Sequence, residues 1–192
     1  MSEKEFRFTI EPWSTVQENK EYQTPIFNLF KRSMRLEAAD EQNHGEFYVL
    51  EAPEWINVIP VTIENEVVLV EQYRYGIEAP TLEIPGGMVD PGESPKESAE
   101  RELLEETGYR ANKWESLGKV SANPAIMNNF THMYLAGGCR FEGAENPDMH
   151  ERINVHLLPI DDFLDRVADG TIHHSIVVAA VARYLLKVRR QA

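Results

Sequence analysis

Several things are scarce in this 192-residue chain, beginning with cysteine: Cys139 stands alone. No intrachain disulfide can form, and nothing in the thiol content calls for an oxidising compartment. A single cysteine of this kind reads as a packed or partly exposed inert side chain. No apolar run approaches the ~20 residues of a membrane span, and the opening "MSEKEFRFTI" lacks the apolar stretch of a secretory signal. The expectation is a soluble, cytoplasmic protein, in which the sequon Asn129-Phe130-Thr131 is a chance match.

Positive charge is also short. Nineteen Lys and Arg face 32 Asp and Glu, for a formal net charge of -13. Such a surface repels nucleic acid and anionic lipid, so neither is an expected partner. The nearest thing to a basic patch, Lys187, Arg189 and Arg190, reads as cations at a helix end. The GxxxxGK(S/T), HExxH and EF-hand patterns are missing, which argues against a P-loop NTPase, a zincin and a calcium sensor. His173 and His174 lack metal-ligand spacing to another His or Cys and read as capping or surface residues. A phosphate-bearing small molecule would be repelled as well, unless divalent cations stood between it and the carboxylates.

An apolar content of 42% suffices for one core, with room for a small extra lobe. Residues 1–50 read as a strand-rich segment, with "FRFTI", "PIFNLFKRSMRLEA" and "GEFYVLEA" as strands, and 51–192 as the main domain. In the main domain "WINVIPVTI" and "EVVLVEQYRY" flank Glu64-Asn65 as a hairpin, with Val68, Val70 and Gln72 on one side of its second strand. The short strand "TLEI" then leads to Pro85-Gly86-Gly87. "WESLGKVSA", "THMYLAGG" and "RINVHLLP" read as later strands. "DDFLDRVADG" reads as a helix capped by Asp161 and stopped at Gly170, and "SIVVAAVARYLLKVRR" as a C-terminal helix starting near His174 or Ser175. The fold class is α/β, a mixed sheet with helices on both faces.

The best-marked helix runs from about Pro95 to Thr107. Ser94 is placed as N-cap, Pro95 at the first helical position, Glu97 to complete a capping box, and Gly108 as the left-handed stop. On this helix Glu102, Glu105 and Glu106 share one face, where like charges repel by a few tenths of a kcal/mol per pair. The bland explanation is a solvated face relieved by Arg101. It leaves unexplained the sharp Gly86-Gly87 bend and the "DPGES" turn just before the cap. Hard cations such as Mg²⁺ take oxygen ligands and bridge one or two carboxylates to substrate phosphates. Carboxylates beside a glycine turn would serve.

Gly87, Glu93, Arg101-Glu102-Leu103, Glu105-Glu106 and Gly108-Tyr109 resemble a complete Nudix box, nine fixed positions in 23 residues covering about an eighth of the chain. Tyr109 departs mildly from the family's usual aliphatic residue. The resemblance implies a Nudix αβα sandwich and Mg²⁺-assisted attack of water on a diphosphate linked to a nucleoside, with Mn²⁺ as the alternative ion. By the same resemblance Glu102, Glu105 and Glu106 are the metal-binding carboxylates, the Gly86 carbonyl a backbone metal ligand, and Arg101 and Glu93 the pair that stiffens the loop–helix junction.

Flanking residues point to a branch. Pro124, sixteen residues after Gly108, and the run "VEQYRYG" before "LEIPGG" resemble ADP-ribose pyrophosphatases and related nucleoside diphosphate sugar hydrolases. That implies substrate contacts by Arg74, whose guanidinium fork suits oxyanions, and by Glu83, Pro124 and Asn128, with Asn129 beside it. Each has a plain alternative: a surface salt bridge for Arg74, a solvent-facing position for Glu83, stiffening of a turn for the proline, loop filling for the asparagines. The branch often carries a late-loop glutamate as base or metal ligand, and Glu151 holds the matching place, with Glu105, Asp148 and Glu145 as rivals and Met149 standing where some relatives are acidic. Cleavage of a nucleotide sugar to a nucleoside monophosphate and a sugar phosphate is the leading expectation. A triphosphate pyrophosphohydrolase and a non-catalytic Nudix-like sensor are the alternatives. Members of this branch commonly dimerise through N-terminal strands, and the apolar "PIFNLF" fits a homodimer.

Overall fold

The apolar runs on either side of Glu64-Asn65 form the centre of the larger sheet in the computed structural model, which describes residues 6–36, 43–143 and 152–191. Trp55–Thr62 (β4) and Glu66–Arg74 (β5) pair antiparallel across a turn in which Asn65 adopts φ 64°, a left-handed conformation that asparagine tolerates. Val67, Val68, Leu69 and Val70 form an unbroken apolar run rather than an alternating one, because β5 is buried on both faces.

The chain divides into two units, Met1–Ala52 with Asn123–Asn128, and Pro53–Ala122 with Asn129–Ala192. The first holds a three-stranded antiparallel sheet of Trp13–Gln23 (β1), Asn28–Leu36 (β2) and His44–Glu51 (β3). "FRFTI" is not a strand: residues 6–9 have no regular structure, and Phe6, Phe8 and Ile10 are exposed. The strand is instead the polar stretch from Trp13, which alternation alone does not mark. It forms because its whole length, Trp13↔Leu36 to Gln23↔Asn28, pairs with β2.

In the second unit the larger sheet has eight strands, with main order β11-β5-β4-β10-β8. Ala79–Glu83 (β6) pairs with β5, Gly86–Met88 (β7) with β4, and Lys113–Val120 (β9) with Thr131–Phe141 (β10). Tyr109–Arg110 (β8) and Asn154–Pro159 (β11) complete it. β10 runs parallel to β4 while the other pairs are antiparallel, so the sheet is mixed.

Each face of this sheet carries its own core. On one, Ala99 and Leu103 of Pro95–Thr107 (α1) pack with Ile56, Val58 and Ala136. On the other, Phe163 of Ile160–Ala168 (α2) and Val177, Ala180 and Val181 of Ser175–Gln191 (α3) pack with Ile59, Val67 and Leu69. The result is the expected αβα sandwich with a mixed sheet. Cys139 is buried in the α1 core, and its burial pushes the thiol up to about 11, which keeps it an inert side chain.

The boundaries of α1 follow from its ends. Glu97 N–H donates to Ser94 Oγ at 3.3 Å while Ser94 N–H donates to Glu97 Oε2 at 2.8 Å, a complete capping box, and Gly108 closes the helix at φ 72°. At α2 the expected cap is wrong. The helix begins at Ile160 with Pro159 in the cap position and no side-chain cap, and Asp161 lies inside the first turn with Asp162, where the helix dipole favours both.

Candidate functional site

β6 ends at Glu83, and the chain turns through Ile84-Pro85 into β7, which lies antiparallel against the start of β4 with Asn57↔Gly86, Ile56↔Gly87 and Trp55↔Met88 in register. At Gly86 the backbone leaves no room for a side chain, and at Gly87 one would have to displace a carboxylate. A Cβ at position 86 would collide with the Asn57 side-chain amide and the Ile56 carbonyl, and one at position 87 with the Glu102 carboxylate. The glycine strand therefore lies directly against α1.

One arginine gathers the carboxylates of that helix. Arg101 Nε donates to Glu93 at 3.1 and 3.2 Å, its NH1 to Glu102 at 3.0 Å and Glu105 at 2.9 Å, and its NH2 to the Met88 carbonyl at 3.3 Å. Glu93 also accepts from Ser98 Oγ at 2.6 Å, so the turn before the helix is fastened to the helix itself. Burial alone would lower the Arg101 value, but Glu93, Glu105 and Glu102 hold it well above the usual guanidinium range. Hydrogen bonds from Arg101 and Ser98 hold the Glu93 carboxyl below its ordinary value.

Glu106 differs from its neighbours. It is only 2% exposed, and its Oε2 accepts the Gly86 N–H at 3.0 Å. Thus Glu106 meets Gly86, while Glu102 lies against Gly87 and shares Arg101 with Glu105. Among the described residues no three His, Cys, Asp or Glu side chains are gathered as a bound metal would gather them. The hydrogen bonds explain this: Arg101 draws Glu102 and Glu105 to itself, and the Gly86 N–H takes Glu106. The donor set is nonetheless all oxygen and anionic, with one member buried, which is the chemistry a hard divalent cation takes.

Arg74 and Glu83 form a second cluster. Arg74 Nε and NH2 meet the two Glu83 oxygens at 2.8 and 2.7 Å, and Thr81 Oγ1 donates to Oε1 at 2.7 Å. Glu83 is 1% exposed, which corrects the solvent-facing alternative. Burial would raise its carboxyl, but Arg74 and Thr81 hold it below the ordinary value. Arg74 and Thr81 line a cleft of about 470 Å³ with Tyr75, Ile77, His173 and His174. His174 Nδ1 stands 3.9 Å from Glu83 Oε2, and burial of the ring lowers its pKa against the pull of that carboxylate. Sequence reasoning missed Thr81 and His174 here. Thr81 carried a usable signal, two residues before Glu83 and hence on the same side of a strand.

The remaining expected residues hold turns and backbone. Pro124 sits in an exposed turn closed by Ile126 and Met127 N–H donating to the Asn123 carbonyl, at 3.2 and 2.8 Å. Asn128 Oδ1 accepts the Ala52 N–H at 3.3 Å. Both belong to the first unit. Buried Asn129 donates to the Pro53 carbonyl at 2.8 Å and so holds backbone. Glu151, Glu145, Asp148 and Met149 fall outside the described residues.

The family model for the NUDIX domain matches residues 54–180. This chain is a member of the Nudix family. It is 36% identical over 134 residues to the methanol dehydrogenase activator of Bacillus methanolicus, covering 69% of this chain and 72% of that protein. It is 30% identical over 145 residues to the ADP-ribose pyrophosphatase of Bacillus subtilis (strain 168), covering 75% and 78%. A crystal structure of an ADP compounds hydrolase superposes with a TM-score of 0.82 over 97% of this chain and 99% of that one, at 21% identity, and shares the fold.

Two outcomes follow for this Nudix site. Gly87→Ala should displace the Glu102 carboxylate and lower divalent-metal-dependent turnover at least tenfold, with an unchanged circular dichroism spectrum. Glu83, whose folded-state pKa is depressed, contributes stability that is full above the ordinary carboxylate range and is lost as pH falls through the folded value. Glu83→Gln should therefore flatten the acid limb of a stability–pH curve measured by urea denaturation.

Proposed function

We propose that this Nudix enzyme hydrolyses the diphosphate of a nucleoside diphosphate sugar, ADP-ribose, GDP-mannose or a similar compound, to a nucleoside monophosphate and a sugar phosphate, using Mg²⁺ or, in its place, Mn²⁺. The observation that carries it is the buried Glu106 fastened to Gly86 beside the Glu102 and Glu105 carboxylates. The names of the pyrophosphatase and hydrolase relatives supply the substrate class.

Glu102, Glu105, Glu106 and the Gly86 carbonyl would hold the ion. When bound, the cation neutralises phosphate oxygens and lowers the pKa of water, which is how an enzyme of net charge -13 accepts an anion. Arg101 and Glu93 keep the loop and helix in fixed relation. Glu105, whose side chain is partly exposed, is one base proposed to take a proton from water. Glu151 is the other base proposed, from its place in the sequence. One water adds across the P–O–P bridge: its oxygen ends on one phosphorus and the bridging oxygen leaves with the other.

Arg74 and Glu83 take the remainder of the substrate. Glu83 precedes Gly86 by three residues, so the cluster at the end of β6 adjoins the glycine strand along the chain, one for the sugar or base and the other for the diphosphate. Pro124 and Asn128 are the further sugar contacts proposed, from their place in the sequence. The first unit serves homodimerisation: among its described residues none is buried, and Trp13, Tyr22, Ile26, Phe47 and Tyr48 are all exposed. A three-stranded sheet without a core of its own calls for a covering surface, and a second copy supplies it. No helix among the described residues is long and apolar enough to cross a membrane, and we place the enzyme in the cytoplasm.

With Mg²⁺, AMP from ADP-ribose or GMP from GDP-mannose should appear faster than pyrophosphate from nucleoside triphosphates, by mass-resolved product analysis. The reverse ranking rejects the substrate class. Glu106→Gln should lose turnover by orders of magnitude while its melting curve stays cooperative. Light scattering should give twice the chain mass, whereas a stable monomer with that sheet exposed refutes the dimer.

A further inference from the structure

β4 is a core strand, and its buried side chains Ile56, Val58 and Ile59 are apolar; Asn57 among them is polar and only 3% exposed. Its Nδ2 donates to the Pro85 carbonyl at 3.4 Å, and its Oδ1 finds no hydrogen-bond partner among the described residues. A buried acceptor left without a partner costs the full desolvation of that group, and an apolar residue of the same shape avoids that cost. Folding stability therefore gives no reason for an asparagine here. Its neighbours do.

The Pro85–Gly86 peptide is one rigid plane. At one edge its carbonyl oxygen takes two donors, Val58 N–H at 2.9 Å and Asn57 Nδ2. At the opposite edge its N–H donates to Glu106 Oε2 at 3.0 Å. Because the two groups point in opposite directions within a plane that cannot twist, whatever fixes the oxygen also aims the hydrogen. Position 86 has no room for a Cβ against the Asn57 amide, so the side chain lies close beside Gly86.

We propose that Asn57 is a positioning residue that sets the orientation of the Glu106 carboxylate through the Pro85–Gly86 peptide plane. The proposal rests on Glu106 as a metal carboxylate, as argued above. Asn57 acts at one remove, by narrowing the range of carboxylate orientations from which a cation must choose.

Amide NMR on the wild-type protein, titrated with MgCl₂ alone, tests this without any variant. The Gly86 N–H and the Asn57 side-chain NH₂ should move together with one apparent Kd. Movement of Gly86 with a stationary Asn57 overturns the proposal and leaves the metal site standing. A stationary Gly86 overturns both. Asn57→Leu, close in shape and without polar atoms, gives a second measure. It should stay folded with a melting temperature at or above wild type, bind Mn²⁺ at least tenfold more weakly by electron paramagnetic resonance, and keep kcat within threefold at saturating Mg²⁺. Wild-type Mn²⁺ affinity in the folded Leu variant overturns the proposal; if the variant does not fold, the wild-type titration decides.

Discussion

One guanidinium holds the acidic face of α1 together. Glu102 and Glu105 lie three residues apart on a helix, where like charges repel, and both end on Arg101 NH1. The same side chain reaches back to Glu93 and to the Met88 carbonyl, so three separate pieces of chain meet at a single cation: the strand after the glycine bend, the turn before the helix, and the helix. Its fork geometry matters as much as its charge. A lysine is a point charge that cannot hold Nε, NH1 and NH2 directions at once. Without this contact Glu102 and Glu105 would lose their shared cation, and the turn would keep only the Glu93–Ser98 hydrogen bond and the capping box as ties to α1.

That tie is useful because the sheet already fixes the other side. β7 is held by its register with β4, and the absence of a Cβ at positions 86 and 87 lets backbone and carboxylates approach closely. Local stability and site geometry thus share one set of residues. The capping box at Ser94 and Glu97 fixes where α1 begins, and the 3.6-residue repeat then determines which glutamates face the glycine strand.

Helix α1 was legible to the residue because all its end signals are local: a cap, a proline, a box and a glycine, each acting within a few positions. The central hairpin was legible for the same reason, as were β6, β9, β10, β11 and the three helices, whereas the short β7 and β8 were not marked. What escaped notice depends on distant partners. β1 is polar over most of its length and becomes a strand only through pairing with β2; the Asp161 cap is a local misreading, since Pro159, two residues earlier, takes that position. The box glutamates declared themselves by spacing. The burial of Glu83 did not, since it arises where Arg74, Thr81 and His174 meet from separate stretches of chain, and no short window of sequence contains all of them.

The carboxylates of the site are held in two different ways. Glu106 is buried and fastened to backbone, whereas Glu102 and Glu105 are held by a flexible side chain and are more exposed. Mg²⁺ demands near-ideal octahedral geometry and gives up its waters reluctantly. A site made wholly of fixed groups would have to match that geometry closely in every direction. In the proposed site one fixed anion, Glu106, would anchor the ion, and two adjustable ones, Glu102 and Glu105, would adapt around it in exchange for Arg101. Arg101 would then do double service, since the guanidinium that offsets the repulsion on α1 is also the group against which a divalent ion would compete for Glu102 and Glu105.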